Sequence, residues 1–172
     1  GVLHRVESNE IDIGIVEGPV GNKNLVSKVC WDDELVIVTP PGHPLTENPL
    51  SGVDALLEYP FISREEGSGT RNVIVDYLQS AGRDISDLNL TMEFGSPESI
   101  KSAVVAGLGI SILSIATLNK ELELGMLSKL SLDPPLTRPF SIVYQRQKFR
   151  LRAMDEFLEF TEAHCGEKQA AK

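Results

Sequence analysis

A chain of 172 residues with 41% hydrophobic and 24% charged side chains is long enough to bury a sizeable core, and its composition is that of an ordinary globular protein. Its formal net charge of −9 argues against these residues gripping nucleic acid, which takes clustered Lys and Arg, and makes an anionic membrane a poor match. Cys30 and Cys165 lie far apart with no CxxC and no metal-ligand spacing, so free thiols in a reducing cytoplasm are expected, with no metal and no cofactor.

In chain order, short apolar runs alternate with amphipathic stretches, the pattern of an α/β protein. Val2, Val6 and Ile11 read as the end of a helix feeding a strand at Ile11 to Val16, which stops at Glu17-Gly18-Pro19. No secretory signal opens the chain, since Gly1 to Arg5 leads straight into polar residues. Leu35 to Val38 is a second strand, Ser51 to Leu57 a short helix, and Phe61-Ile62 a third strand. Thr70 to Ala81 follows as a helix with Val73, Ile74, Tyr77 and Leu78 at helical spacing, then Leu88 to Phe94 as a strand with alternating faces.

Ser96 as cap and Pro97 in the first turn open a helix whose inner face is Ile100, Ala103, Val104 and Leu108, ended by Gly107 and Gly109. Ile110 to Leu113 is a buried strand, and a helix runs from Ile115 to near Gly125. Phe140 to Tyr144 returns as a strand, and Leu151 to His164 closes as a helix with Leu151, Met154, Phe157, Leu158 and Phe160 inward. The longest apolar tract, Val104 to Leu118, is shorter than the roughly 20 residues of a membrane span. Pro-rich breaks at residues 39–44 and 133–139 bracket the middle of the chain and suggest one lobe inserted in another. A ligand cleft between them is the expectation.

The turn Ser63-Arg64-Glu65-Glu66-Gly67-Ser68-Gly69-Thr70-Arg71 carries the chemistry. A helix N-terminus presents unbonded N–H groups and roughly half a positive charge. Gly67 and Gly69 let the backbone approach a ligand, and Ser68 and Thr70 add hydroxyls, which together make a cradle for a small anion. The same residues also read as a plain helix cap. No Gly-Lys-Ser/Thr of a nucleotide P-loop is present, which points away from phosphoryl transfer. Ser63, Ser68 and Ser114 have no Gly-x-Ser-x-Gly elbow, and Glu65-Glu66 on a turn are expected to splay into water, so no catalytic residue is assigned. His43 reads as a turn and capping residue, His164-Cys165 as a helix end rather than a metal site, and Cys30-Trp31 as packing between lobes. The basic run Arg138, Arg146, Lys148, Arg150 and Arg152 reads as a solvated loop before a helix.

Four pieces in order resemble the LysR-type bacterial transcriptional regulators. They are Asn9-Glu10-Ile11-Asp12-Ile13-Gly14-Ile15-Val16, then Asp33 to Pro40 with Gly42-His43-Pro44-Leu45, then Gly67-Ser68-Gly69-Thr70-Arg71, then Ser99-Ile100-Lys101 through Gly107-Leu108-Gly109-Ile110. The resemblance implies a type 2 periplasmic-binding-protein-like α/β fold, two Rossmann-like subdomains joined by two crossover segments. The boundaries expected are residues 1–31 with 135–165 for the first subdomain, 32–134 for the second, and 166–172 as a disordered tail. It further implies a homodimer or homotetramer in the cytoplasm that meets DNA only through a helix-turn-helix domain outside these residues, and a first subdomain lacking its first strand and helix.

Carried over residue by residue, the effector contacts are Glu17, Val16, Arg64, Ser68, Gly69 and Thr70. Glu17 stands where the family often has Thr or Ser, and three fates are open to it: accepting from an ammonium of the ligand, pairing with Arg64 or Arg71, or facing solvent. A regulator domain sensing a small anionic or amino-acid-like metabolite is the leading function. A solute-binding protein of a transporter is the alternative, and a small enzyme on the same fold lacks a general acid.

Overall fold

The computed structural model describes residues 1–17, 20–47, 53–146 and 152–170. The chain divides into two units, Gly1–Asp33 with Arg138–Lys172, and Glu34–Thr137. Gly18-Pro19, Ser51, Lys148, Arg150, Leu151 and the last two residues of the expected tail lie outside the described residues.

The first unit holds helix α1 (Val2–Glu7), strand β1 (Ile13–Glu17), the opening of β2 (Leu25–Thr39), the end of β6 (Ser128–Gln145) and helix α7 (Arg152–Ala170). β1 runs antiparallel to β6, from Ile13 opposite Tyr144 to Glu17 opposite Phe140. Val6 of α1 is buried with Leu25 and Val143. Met154 and Leu158 of α7 are buried with Cys30, Ile142 and Tyr144, and Cys165 packs on the same cluster.

Two expectations for α7 are corrected. Phe157 and Phe160 are 48% and 61% exposed, not inward. At 100° per residue, Leu158 and Cys165 fall within about 40° of Met154 while Phe160 lies on the far side. The helix runs from Arg152 to Ala170.

The second unit is a sheet with a helix on each face. Its elements are α2 (Pro44–Glu47), α3 (Asp54–Leu57), β3 (Phe61–Arg64), α4 (Gly69–Ser80), β4 (Leu90–Phe94), α5 (Pro97–Val105), β5 (Ser111–Ser114) and α6 (Asn119–Glu123). β3 is parallel to β4, β5 is antiparallel to β2, and Phe61 bridges in parallel to Ile110 just before β5. Successive strand residues point to opposite faces, and the cores follow that alternation. Leu35, Ile37, Phe61 and Ile112 pack with Ile74, Tyr77 and Leu78 of α4. Val36, Val38, Ile62 and Leu113 pack with Ile100, Ala103 and Val104 of α5. Strands covered on both faces read as unbroken apolar runs, as Leu35 to Val38 does.

Ser96 caps α5 by accepting from Ser99 N–H at 3.2 Å, with Pro97 in the first turn. At Gly109 an added Cβ would lie 2.5 Å from the Pro60 carbonyl oxygen, so glycine is what lets this segment run beside β3. Leu108 lies beyond the end of α5 and is exposed, not on its inner face. β4 does not alternate: it pairs only with β3 among the described residues and Leu90 to Glu93 are exposed. The helix expected from Ile115 is a 3₁₀ turn, Ile115–Thr117, followed by α6. The Pro-rich break near Asp133 is no interruption, since β6 runs through it. β2 and β6 are the two strands that pass from one unit into the other.

Candidate functional site

In the second unit β3 delivers the chain into the turn before α4. Ser111 Oγ donates to the Ile62 carbonyl at 2.7 Å, and Glu65 N–H donates to the Phe94 carbonyl at 3.2 Å. These bonds fix β3 and the turn's first residue against their neighbours. Gly67 turns the chain at φ +85°, a left-handed conformation that glycine adopts without a Cβ penalty. Ser68 N–H then donates to the Glu65 carbonyl at 3.2 Å, and Ser68's own carbonyl accepts from Asn72 N–H at 3.0 Å.

Ser68 is therefore the N-cap residue of α4, with φ −67° and ψ 132°, yet its hydroxyl makes no capping bond. Ser68 and Thr70 are each 7% exposed. A cap serine normally spends its oxygen on the first-turn N–H groups. Here the Ser68 oxygen is not spent on them. α4 is anchored below by Ile74, Tyr77 and Leu78 in the core, so the turn stands on a fixed base.

The two arginines of the turn are committed within it. Arg64 forks onto its neighbour Glu65, Nε to Oε2 at 2.7 Å and Nη2 to Oε1 at 2.8 Å. That fork holds the Glu65 carboxyl below the ordinary carboxylate range. Arg71 Nη1 donates to the Arg64 carbonyl at 3.0 Å and to Glu93 of β4. Glu65 thus does not splay into water, as the adjacency of Glu65 and Glu66 led one to expect.

In the first unit Val16 and Glu17 end β1. Glu17 pairs with Arg138, Nη1 to Oε2 at 2.5 Å, a partner not among the three fates weighed for it. Arg138 is buried in β6 rather than solvated in a loop. Its Nε and Nη2 both reach Asp33 Oδ2 at 2.9 Å, and Asp33 is itself buried. The guanidinium carbon sits 5.2 Å from the Phe140 ring centre, and Phe140 stacks on Trp31 at 4.7 Å. Cys30 and Trp31 thus pack inside the first unit: Trp31 on Phe140, Cys30 under α7. The Asp33–Arg138–Glu17 constellation escaped the sequence because its parts are 105 and 121 residues apart.

His43 does cap. Its Nδ1 accepts from Leu45 N–H at 3.2 Å, and its ring meets Tyr59 edge-on at 4.6 Å. Burial holds its pKa below the ordinary 6.5. Among the described residues no three His, Cys, Asp or Glu side chains gather in a way that would hold a metal ion. No helix of the described residues is long and apolar enough to cross a membrane.

A two-faced α/β unit with an open helix N-terminus over its sheet is the architecture of small-ligand binding folds. The LysR substrate binding domain matches residues 1–166, and the chain belongs to that family. It is 38% identical over 160 residues to YeiE of Escherichia coli K12, named as an uncharacterized HTH-type transcriptional regulator, covering 92% of this chain and 53% of YeiE. The chain therefore spans about half the length of that relative. The regulatory domain of Synechocystis PCC6803 CcmR, solved in complex with 2-PG, superposes with a TM-score of 0.82 at 32% identity, over 95% of this chain and 78% of that one. The effector binding domain of QuiR, solved with shikimate, shares the fold at 18% identity with a TM-score of 0.78, over 96% of this chain and 77% of that one.

Proposed function

We propose that this chain is the sensing part of a LysR-type transcription regulator and binds a small anionic or amino-acid-like metabolite through the turn that opens α4. The observation that carries the reading is Ser68: an N-cap residue, buried, whose hydroxyl makes no capping bond to the first turn of a twelve-residue helix. An anion there meets aligned N–H groups, the positive end of the helix and the Ser68 hydroxyl. Gly69 and Thr70 line the same turn, and Arg64 fixes its entry. In the first unit Val16 and Glu17 are the residues proposed to meet the effector. Glu17 pairs with Arg138, which lessens its repulsion toward an anion, although the same cation also answers Asp33.

The proposal extends to the whole regulator. It assembles as a homodimer or homotetramer and meets DNA through a helix-turn-helix domain outside these residues. The effector acts by its difference in affinity between two states, and no chemical step is assigned. Turnover of a bound ligand would mark an enzyme on the same fold rather than a sensor.

The test is calorimetric titration of the protein with 2-PG, inorganic sulfate and a set of amino acids, repeated on Ser68→Ala and Thr70→Ala. Binding weakened in both variants supports the reading. A ligand bound with equal affinity by all three proteins removes the turn from the site.

A further inference from the structure

The two cysteines, remote in sequence, are neighbours in the first unit. Cys30 lies in β2 and is buried at 2% exposure, while Cys165 lies in α7, half-buried on the same apolar cluster. Both line one cavity, and the Cys30 thiol donates to the Lys28 carbonyl at 4.0 Å. The register that joins them is doubly fixed. Lys28 and Cys30 are two apart on β2 and so share a strand face, while Glu162 and Cys165 are three apart on α7 and so share a helix face. Lys28 pairs with Glu162 alongside the thiols. Met154 and Leu158 seat the rest of α7 against Cys30, Ile142 and Tyr144. A cavity of about 250 Å³ opens beside the pair, with Lys28, Glu162, Cys30 and Cys165 in its wall.

From this placement we propose that Cys30 and Cys165 form a reversible disulfide that locks α7 onto β2 when a hydroperoxide enters the cavity. Cys165, the more accessible thiol, reacts first. Its sulfur takes one oxygen from the peroxide, giving a sulfenic acid and, with hydrogen peroxide, one water. The Cys30 sulfur then attacks the Cys165 sulfur. The S–S bond forms as the S–O bond breaks, and the hydroxyl leaves with the Cys30 proton as a second water. Two thiols lose two electrons in all, and the peroxide gains two. The order follows from the environments: burial first, and the neighbouring Cys165 after it, push the Cys30 thiol up to about 11, so it does not react first with a solute. In a reducing compartment such a bond forms under oxidative load and is cleared by thiol exchange.

The test exposes the purified protein to graded hydrogen peroxide, then denatures it in an alkylating agent and measures intact mass and peptide map. The expected product is a monomeric chain about 2 Da lighter, lacking both thiol hydrogens. Both thiols should become inaccessible to alkylation together, one peptide should join Cys30 to Cys165, and dithiothreitol should restore the starting mass. The oxidised form should also melt higher than the reduced one. Cys165→Ser, at the half-buried position, should keep Cys30 alkylatable at the same peroxide dose. Three results would overturn the proposal: Cys165 accumulating as sulfenic or sulfinic acid with Cys30 still alkylatable, a crosslink between two copies, or no reaction at doses that oxidise exposed thiols. The wild-type map needs no variant, so misfolding of a mutant leaves it intact.

Discussion

The turn before α4 in the second unit and the Asp33–Arg138–Glu17 group in the first are both polar, both partly buried, and opposite in design. In the turn, Ser68 holds the cap position and leaves its hydroxyl and the first-turn donors unspent on each other. In the other group, Arg138 spends its Nε, Nη1 and Nη2 on two carboxylates and lays its flat face near Phe140. Unspent hydrogen-bonding capacity at a fixed backbone is what a ligand can use. A buried charge that is already answered serves the fold. A polar cluster is therefore read by what its members still lack, not by how many charges it holds.

The largest expected effect breaks the closed group. Arg138→Ala leaves Asp33 buried without its cation and should cost about 3–5 kcal/mol of stability, measured by urea unfolding. Joint replacement, Arg138→Met with Asp33→Leu, should recover much of that loss because no buried charge is left unanswered, Glu17 being 40% exposed to water. A near-neutral single variant would show that Asp33 finds water or another cation, and the contrast between the two regions would fade.

Opening the other side of the comparison, Thr70→Ala should weaken effector binding by about 1–3 kcal/mol. A change in stability without a change in affinity would make Thr70 a structural residue. Ser96→Ala supplies the control for a cap that is fully used. Its hydroxyl accepts from Ser99 N–H, so its loss should cost roughly 1 kcal/mol of stability. Ser68→Ala, by the same logic, should cost less stability than Ser96→Ala, since the Ser68 hydroxyl caps nothing.

The smallest effect is in pH. His43 has a folded pKa below its unfolded value near 6.5, because burial disfavours the cation and Nδ1 must stay bare to accept from Leu45 N–H. The unfolded chain therefore binds the proton first as pH falls. The stability from His43 is fully present above about pH 6.5 and declines as pH drops toward the folded pKa. Replacing His43 by Asn should flatten that part of the profile. An unchanged slope would assign the pH dependence to other groups.

Much of the second unit was legible because its signals are local. The apolar runs at Leu35 to Val38 and Ile110 to Leu113 announce strands covered on both faces, and Ser96-Pro97 marks a helix start within four residues. The α4 turn was legible for the same reason, since glycines, hydroxyls and helical spacing are contiguous there. The opening of β2 was not legible. Asp32-Asp33-Glu34 reads as a polar break, and only Arg138, 105 residues on, makes Asp33 a strand interior residue. Phe157 and Phe160 misled because large aromatic side chains suggest core, whereas the ridge Met154–Leu158–Cys165 is what the helix turns inward. The thiol pair was invisible for the reason Arg138 was: two residues far apart in sequence meet only once β2 and α7 pack.

The most direct measurement is backbone amide mapping by NMR while the protein is titrated with 2-PG, inorganic sulfate and amino acids. The account predicts that a ligand which raises the melting temperature shifts the amides of Gly69, Thr70 and Arg71 more than those around Ser96, where the cap is already served. A ligand that stabilises the protein and leaves Gly69 to Arg71 unmoved, or a panel in which nothing binds, would contradict it.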